Sequence, residues 1–204
     1  MQANTKASQG ARRTFTETAR RAQIVEAAIA TIAEVGYARA SFAQIAKRAG
    51  LSSTGLISYH FAGKDELIAQ IITEVYSAMA QFMTARMDGQ SSAADALQTY
   101  IQANAAFIGT HRTQMTALLA IFLQGGLPYN ETTERTVVSP LEEILRWGQD
   151  SGAFRAFDRR VMAAVIQRAV DGLPFLLATH PDIDVDAYAH EVVTLFELAT
   201  RRRE

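Results

Sequence analysis

Apolar residues recur at three- and four-residue spacing along almost the whole chain, and the period-two alternation of β-strands is nearly absent. A chain patterned this way buries its apolar surface by packing helix against helix, so the expected class is all-α, with about nine helices. Thr14 followed by Glu17 reads as a capping box that opens a first helix through Ile24, Ala28 and Ile32, ending at Gly36. Ser41 with Gln44 repeats the device for a short second helix, which carries Phe42, Ile45 and Ala46 inward and stops at Gly50. A third helix starts near Ser52 or Ser53 and ends by Ala62-Gly63. From Asp65 a long amphipathic helix follows, with Leu67, Ile68, Ile71, Ile72, Val75, Met79, Phe82 and Met83 on its apolar side.

Beyond a loop at 88–91, helices are expected near 93–110 and 113–124, with a break at 125–128. Ser139-Pro140 reads as a helix start, or as a kink if that helix already begins near Thr132. Two further helices, about 158–179 and 184–201, flank His180-Pro181-Asp182.

Composition narrows the function classes. Apolar residues make up 49% of 204, enough for a packed core. Cysteine is absent, which removes disulfides and thiolate chemistry and makes a metal site or cofactor unexpected. No unbroken apolar run approaches the roughly 18–20 residues of a membrane span, and the first residues lack a signal-peptide core, so a cytoplasmic protein without a membrane partner is expected. The formal charge of −1 hides an asymmetry: nine basic and three acidic residues up to position 64, then eleven basic and eighteen acidic. A basic head on an acidic body points to a polyanion as partner of the head.

The head offers a way to meet such a partner. Two short helices joined by Ala49-Gly50-Leu51-Ser52 have helix-turn-helix dimensions, with Gly50 left-handed at the turn and Leu51 packed inside it. On the third helix Leu56 and Phe61 form the expected inward pair. Ser53, Thr54, Gly55 and Ser58 then share the outer face, where small side chains allow backbone to approach a major-groove floor and hydroxyls meet bases or phosphates. Tyr59 and His60 fall at the edge, their polar tips within reach of a phosphate.

The segment SFAQIAKRAGLSSTGLISYHFAGKDELI, residues 41–68, closely resembles the DNA-binding signature of TetR-type transcriptional regulators. Ser41, Ile45-Ala46, Ala49-Gly50-Leu51-Ser52, Gly55-Leu56-Ile57, Tyr59-His60-Phe61, Lys64 and Leu67 carry the match, and Asp171-Gly172-Leu173 adds to it. The resemblance implies a DNA-binding domain at 14–64 and an effector-binding, dimerising body at 65–204. It implies groove or base contacts from Ser52, Ser53, Thr54, Gly55 and Ser58, and phosphate contacts from Ser41, Tyr59, His60 and Lys64. Arg12 and Arg13, ahead of the first helix, are placed for an arm along the DNA backbone or minor groove.

A single recognition helix reads only a few base pairs, so a two-fold homodimer on a near-palindromic operator is expected. The last two helices are apolar on two faces and offer Val161, Val165, Leu173, Tyr188, Val192, Leu195, Phe196 and Ala199 for the interface. The resemblance also implies an effector pocket. Its expected lining is Met79, Phe82, Met83, Tyr100, Phe107, Met115, Phe122, Trp147 and Phe154, with Asn104, Gln124, Gln167 and Asp171 as polar candidates, and the composition suggests a mostly apolar small molecule. Ligand binding that shifts the spacing of the two recognition helices would release DNA. Three other readings stand beside this one: an activator of the same fold, a DNA-packaging protein, and an enzyme. The sequence contains no H-E-x-x-H, G-x-S-x-G, G-x-G-x-x-G or P-loop pattern, and its four histidines have no metal spacing, so no catalytic residues are expected.

Overall fold

A computed structural model of the chain describes residues 4–126 and 130–202, with side chains from residue 16 onward except those of 132 and 133. Among these residues the secondary structure is helical, apart from an isolated bridge between Phe154 and Arg201. The helices are α1 (Asn4–Val35), α2 (Phe42–Arg48), α3 (Gly55–His60), α4 (Lys64–Met87), α5 (Ala93–Thr110), α6 (Arg112–Leu123), α7 (Glu131–Asp150), α8 (Arg159–Asp171), α9 (Leu173–Thr179) and α10 (Val185–Thr200).

Three boundaries bear on the sequence reading. Helix α1 is already helical from Asn4, so Thr14 and Glu17 lie inside it rather than at its start. Lys6, Ala7, Gln9, Ala11, Arg12 and Arg13 are good helix formers, and nothing forces a break before Thr14. Helix α7 takes the second of the two alternatives, beginning at Glu131 with Pro140 inside it. The stretch read as one helix over 158–179 is two. Pro174 has no N–H to continue the ladder, and α9 starts afresh with that proline in its first turn. The same stretch, Arg159–Thr179, is long and apolar enough by composition to cross a membrane, which a search for unbroken apolar runs missed. In the fold its Ala163, Ile166, Val170 and Leu173 are buried among other helices of the body.

The core forms two clusters. One gathers Ile24, Ala28 and Ile32 of α1, Ile45 and Ala46 of α2, Ile57 and Phe61 at α3, and Leu67, Ile68, Ile71 and Val75 of α4. Phe107, Ala117, Leu118 and Ile121 complete it from α5 and α6, so the head is seated on the body through α4 and the α1–α6 contact. The second cluster unites α5, α7, α8 and α10 around Leu97, Ile101, Leu141, Leu145, Ile166 and Val193. Phe154 belongs there and not to a cavity. Its ring lies flat on the backbone at Gly148, where an added Cβ would sit 2.0 Å from Phe154 Cδ2.

Candidate DNA-reading face and ligand cavity

The helix-turn-helix is fixed by local chemistry. Ser41 Oγ accepts the Gln44 N–H at 3.3 Å while Gln44 Oε1 accepts the Ser41 N–H at 3.0 Å, a complete capping box. Helix α2 ends where Gly50 takes φ +63°, a left-handed conformation that costs other residues energy, and the Leu51 N–H closes onto Ala46 O at 2.9 Å. Leu51 is half-buried against the head core.

On α3 the inward pair is Ile57 and Phe61, 0% and 1% exposed, while Leu56 is 38% exposed. The expected pairing of Leu56 with Phe61 is therefore wrong. Residues four apart share a helix face and residues five apart do not, so Ile57 takes the inner position. Ser52, Ser53, Thr54, Gly55 and Ser58 are all exposed, as is Ser41. An added Cβ at Gly55 would meet nothing closer than Ser53 Oγ at 3.5 Å. Nothing within the protein demands glycine there, which fits close approach by something outside it. Tyr59 is 75% exposed. His60 is half-buried, and its Nδ1 is enclosed without a partner, so that atom does not face a phosphate. The side chains of Arg12 and Arg13 lie outside the described residues.

Sequence reasoning missed how much of the head's positive charge works internally. Arg21 donates to the His60 carbonyl oxygen, lies 4.2 Å over the Phe61 ring and pairs with Glu66 at 3.4 Å, clamping the end of α3. Glu66 also accepts the Ala62 N–H at 2.7 Å, and this bond, ahead of Arg21, holds its carboxyl below the ordinary value. Lys64 Nζ donates to Tyr37 O at 2.8 Å and sits 4.2 Å from that ring. Arg48 pairs with Glu34, and Gln23 Nε2 donates to Ala49 O at 2.7 Å. Apart from Glu66 and Ala62, four residues apart, these partners are fourteen or more residues apart, so only the long-range fold could reveal them.

Within the body lies a cavity of about 1370 Å³. Of the expected lining, Met79, Met83, Tyr100, Asn104, Met115, Phe122, Trp147, Gln167 and Asp171 all border it. Phe82, Phe107 and Gln124 do not. Phe107 is fully buried and stacks on His111 at 4.0 Å, Phe82 meets Phe107 edge-on at 5.4 Å, and Arg86 covers the Phe82 ring at 3.4 Å. These rings seal the junction of α4, α5 and α6. Gln124 is exposed at the end of α6. Tyr76, Glu143 and Phe175 were not foreseen as lining.

The polar wall of the cavity is a relay. The Tyr100 hydroxyl donates to Gln167 Oε1 at 2.9 Å, and Gln167 Nε2 donates to Asp171 Oδ1 at 2.8 Å. Burial raises Asp171 above the ordinary carboxylate value despite lowering by Gln167 and Arg168. Burial, helped by the Asp171 charge, pushes the Tyr100 phenol up to about 12. Asn104 is buried, with Nδ2 donating to Tyr100 O at 2.8 Å.

The residues proposed for a dimer face separate into three sets. Val161, Val165 and Leu195 are 60%, 52% and 62% exposed, and Leu198 beside them is 59% exposed. Leu173, Val192 and Phe196 are instead buried in the body core, because α10 turns Ala189, Val192, Val193 and Phe196 toward α5. Tyr188 and Ala199 are half-buried, with the Tyr188 hydroxyl donating to Ala169 O.

With this geometry in hand, the chain can be set beside known proteins. Residues 24–71 match the family model described as bacterial regulatory proteins, tetR family. Over that stretch the chain is similar to the TetR family. It is 36% identical over 107 residues to the HTH-type transcriptional regulator BetI 1 of Chromohalobacter salexigens, covering 50% of this chain and 51% of that one. Identity is 34% over 105 residues to BetI of an Escherichia coli strain, again 50% of this chain and 53% of the relative. The match thus spans about half the length of these curated relatives. Among solved structures, a transcriptional regulator from Saccharomonospora viridis in complex with choline superposes with TM-score 0.79 at 22% identity, covering 91% of this chain and all of the other. FadR from Bacillus subtilis in complex with stearoyl-CoA gives 0.71 at 21% identity, covering 85% and 95%. At such identities the likeness is one of fold.

Proposed function

We propose that this chain is a member of the TetR family and a ligand-responsive transcriptional regulator of the cytoplasm. It acts as a repressor that binds a near-palindromic operator as a homodimer and is released by a small, mostly apolar effector. The observation that carries the reading is the exposed face of Ser52, Ser53, Thr54, Gly55, Ser58 and Tyr59, presented on a short helix and the turn that leads into it, with Ile57 and Phe61 locking the other side into the core. Small hydroxyl residues around a glycine suit the floor of a major groove, and the capped N-terminus at Ser41 suits a phosphate. Residues 14–64 form the DNA-binding unit and 65–204 the effector and dimer unit. The stripe of Val161, Val165, Leu195 and Leu198 is the dimer contact, since exposed apolar residues grouped across two helices mark an interaction surface.

Two neighbours solved with bound small molecules support an effector role for the cavity. Helix α4 runs from the head core at Leu67 and Ile71 to the cavity at Tyr76, Met79 and Met83, and so joins the two sites. The test is fluorescence anisotropy with DNA flanking the protein's own gene, against scrambled competitor at two salt concentrations, with Tyr59→Ala alongside. Binding that survives competitor and falls at least about tenfold in the variant is expected. Binding that competitor abolishes would mean that only charge is read there, and would refute the reading.

A further inference from the structure

One corner of a cavity otherwise walled mainly by carbon carries a defined charge. Asp171 borders it, held in place by Gln167 at 2.8 Å, and Gln167, 2% exposed, is itself held by the Tyr100 hydroxyl at 2.9 Å. The carboxylate is therefore fixed by a buried relay. Tyr76 and Tyr100 line the same cavity as Asp171, and its charge adds to the upward shift that burial gives each phenol. Among the described lining residues the only basic one is Arg168. It meets Asp171 at 3.3 Å, but its side chain is 51% exposed and it lies three residues away on the same helix, a kind of pair that contributes little. Glu143, one turn before Trp147 on α7, also borders the cavity, but it is exposed and paired with Arg146 at 3.6 Å.

An anion in this corner would be repelled by Asp171 and attracted only by a half-solvated arginine. A neutral molecule would cover Asp171 and leave the carboxylate with Gln167 and the weak Arg168 pair alone. A cation gains the carboxylate, and the tyrosine rings that line the same cavity can add to its binding. The volume of about 1370 Å³ exceeds the roughly 300–1,000 Å³ of ordinary ligand pockets, so a bare headgroup leaves most of it empty. Resting on the ligand-binding reading above, we infer that the effector is an amphiphilic organic cation, its ammonium head against Asp171, Tyr76 and Tyr100 and its apolar tail along Met79, Met83 and Met115.

Trp147 is the chain's one tryptophan and lines the cavity, so its emission reports occupancy. The full-length protein is titrated with decyltrimethylammonium, decanoate and decanol, each below its micellar concentration. The ammonium is expected to bind at least about tenfold tighter than either of the others. Asp171→Asn removes that preference, and Arg168→Gln, on the solvated rim, strengthens it by freeing the carboxylate. Decanol or decanoate binding as tightly as the cation, or a preference that survives Asp171→Asn and is unmoved by Arg168→Gln, overturns the inference and leaves the ligand-binding reading standing. If none of the three binds while operator DNA still does, the inference and the effector reading both fall, and the DNA-binding reading remains.

Discussion

The head and the body are made of similar helices and similar side chains, yet the head is filled and the body is hollow. In the head, Ile24, Ile45, Ile57, Phe61, Leu67 and Ile71 are at most 2% exposed and interlock around a short recognition helix. In the body, α4 to α9 stand around about 1370 Å³ of space walled by methionines, aromatics and a relay ending at Asp171. A surface that must match DNA has to be rigid, and dense packing supplies rigidity. A site that admits a ligand needs room and gives up packing energy to have it. The acids show the same contrast, with Glu66 in the head lowered by the Ala62 N–H and Asp171 in the body raised by burial.

The comparison can be broken most forcefully at Phe61. Phe61→Ala empties the centre of the head and is expected to cost about 3–5 kcal/mol in chemical denaturation, with DNA binding lost in parallel. Next, equal truncations in the two regions should have unequal effects. Leu67→Ala removes a side chain that is 0% exposed and should cost about 2–5 kcal/mol. Leu119→Ala only widens a cavity that already exists and should cost under about 1 kcal/mol. Equal losses would mean that the body is as tightly packed as the head. Ser41→Ala removes one half of the capping box and should lower stability by about 1 kcal/mol, measured by the same unfolding curves.

The smallest effects are in pH dependence, where the two acids have opposite signs. Glu66 is lowered in the folded state, so its stabilisation is present above its ordinary value of 4.5 and is lost as pH falls through the lowered one. Glu66→Gln should therefore melt below the wild type at pH 7, with the gap closing in acid. Asp171 is raised, so its presence costs stability as pH climbs from 3.8 through the raised value. Asp171→Asn should melt above the wild type at pH 7 and match it below about pH 4.

The head was legible in the sequence because its determinants are local. The Ser41–Gln44 box, the Gly50 turn and the outward serines all follow from residues within a few positions of one another. The misjudged inward residue of α3, Leu56 in place of Ile57, came from choosing between neighbours on a short helix. The body resisted because lining a cavity and filling a core require the same side chains. Phe82 and Phe107 have the composition of lining residues and instead pack around His111, Phe107 stacked on it and Phe82 edge-on, while nothing local marks Tyr76 as lining. Val192 and Phe196 share their helix with Leu195, and only the packing of α10 on α5 separates core from open stripe. Arg21, counted as surface charge, clamps α3 through partners thirty-nine and forty-five residues away.

The central claim is that the filled head and the hollow body are one coupled device, joined by α4 and α6. Its most direct test is to titrate decyltrimethylammonium, followed by Trp147 emission, with and without saturating operator duplex. Coupling predicts that operator weakens the probe's affinity by the same factor by which the probe weakens operator binding. Probe affinity that is unchanged by operator would contradict it.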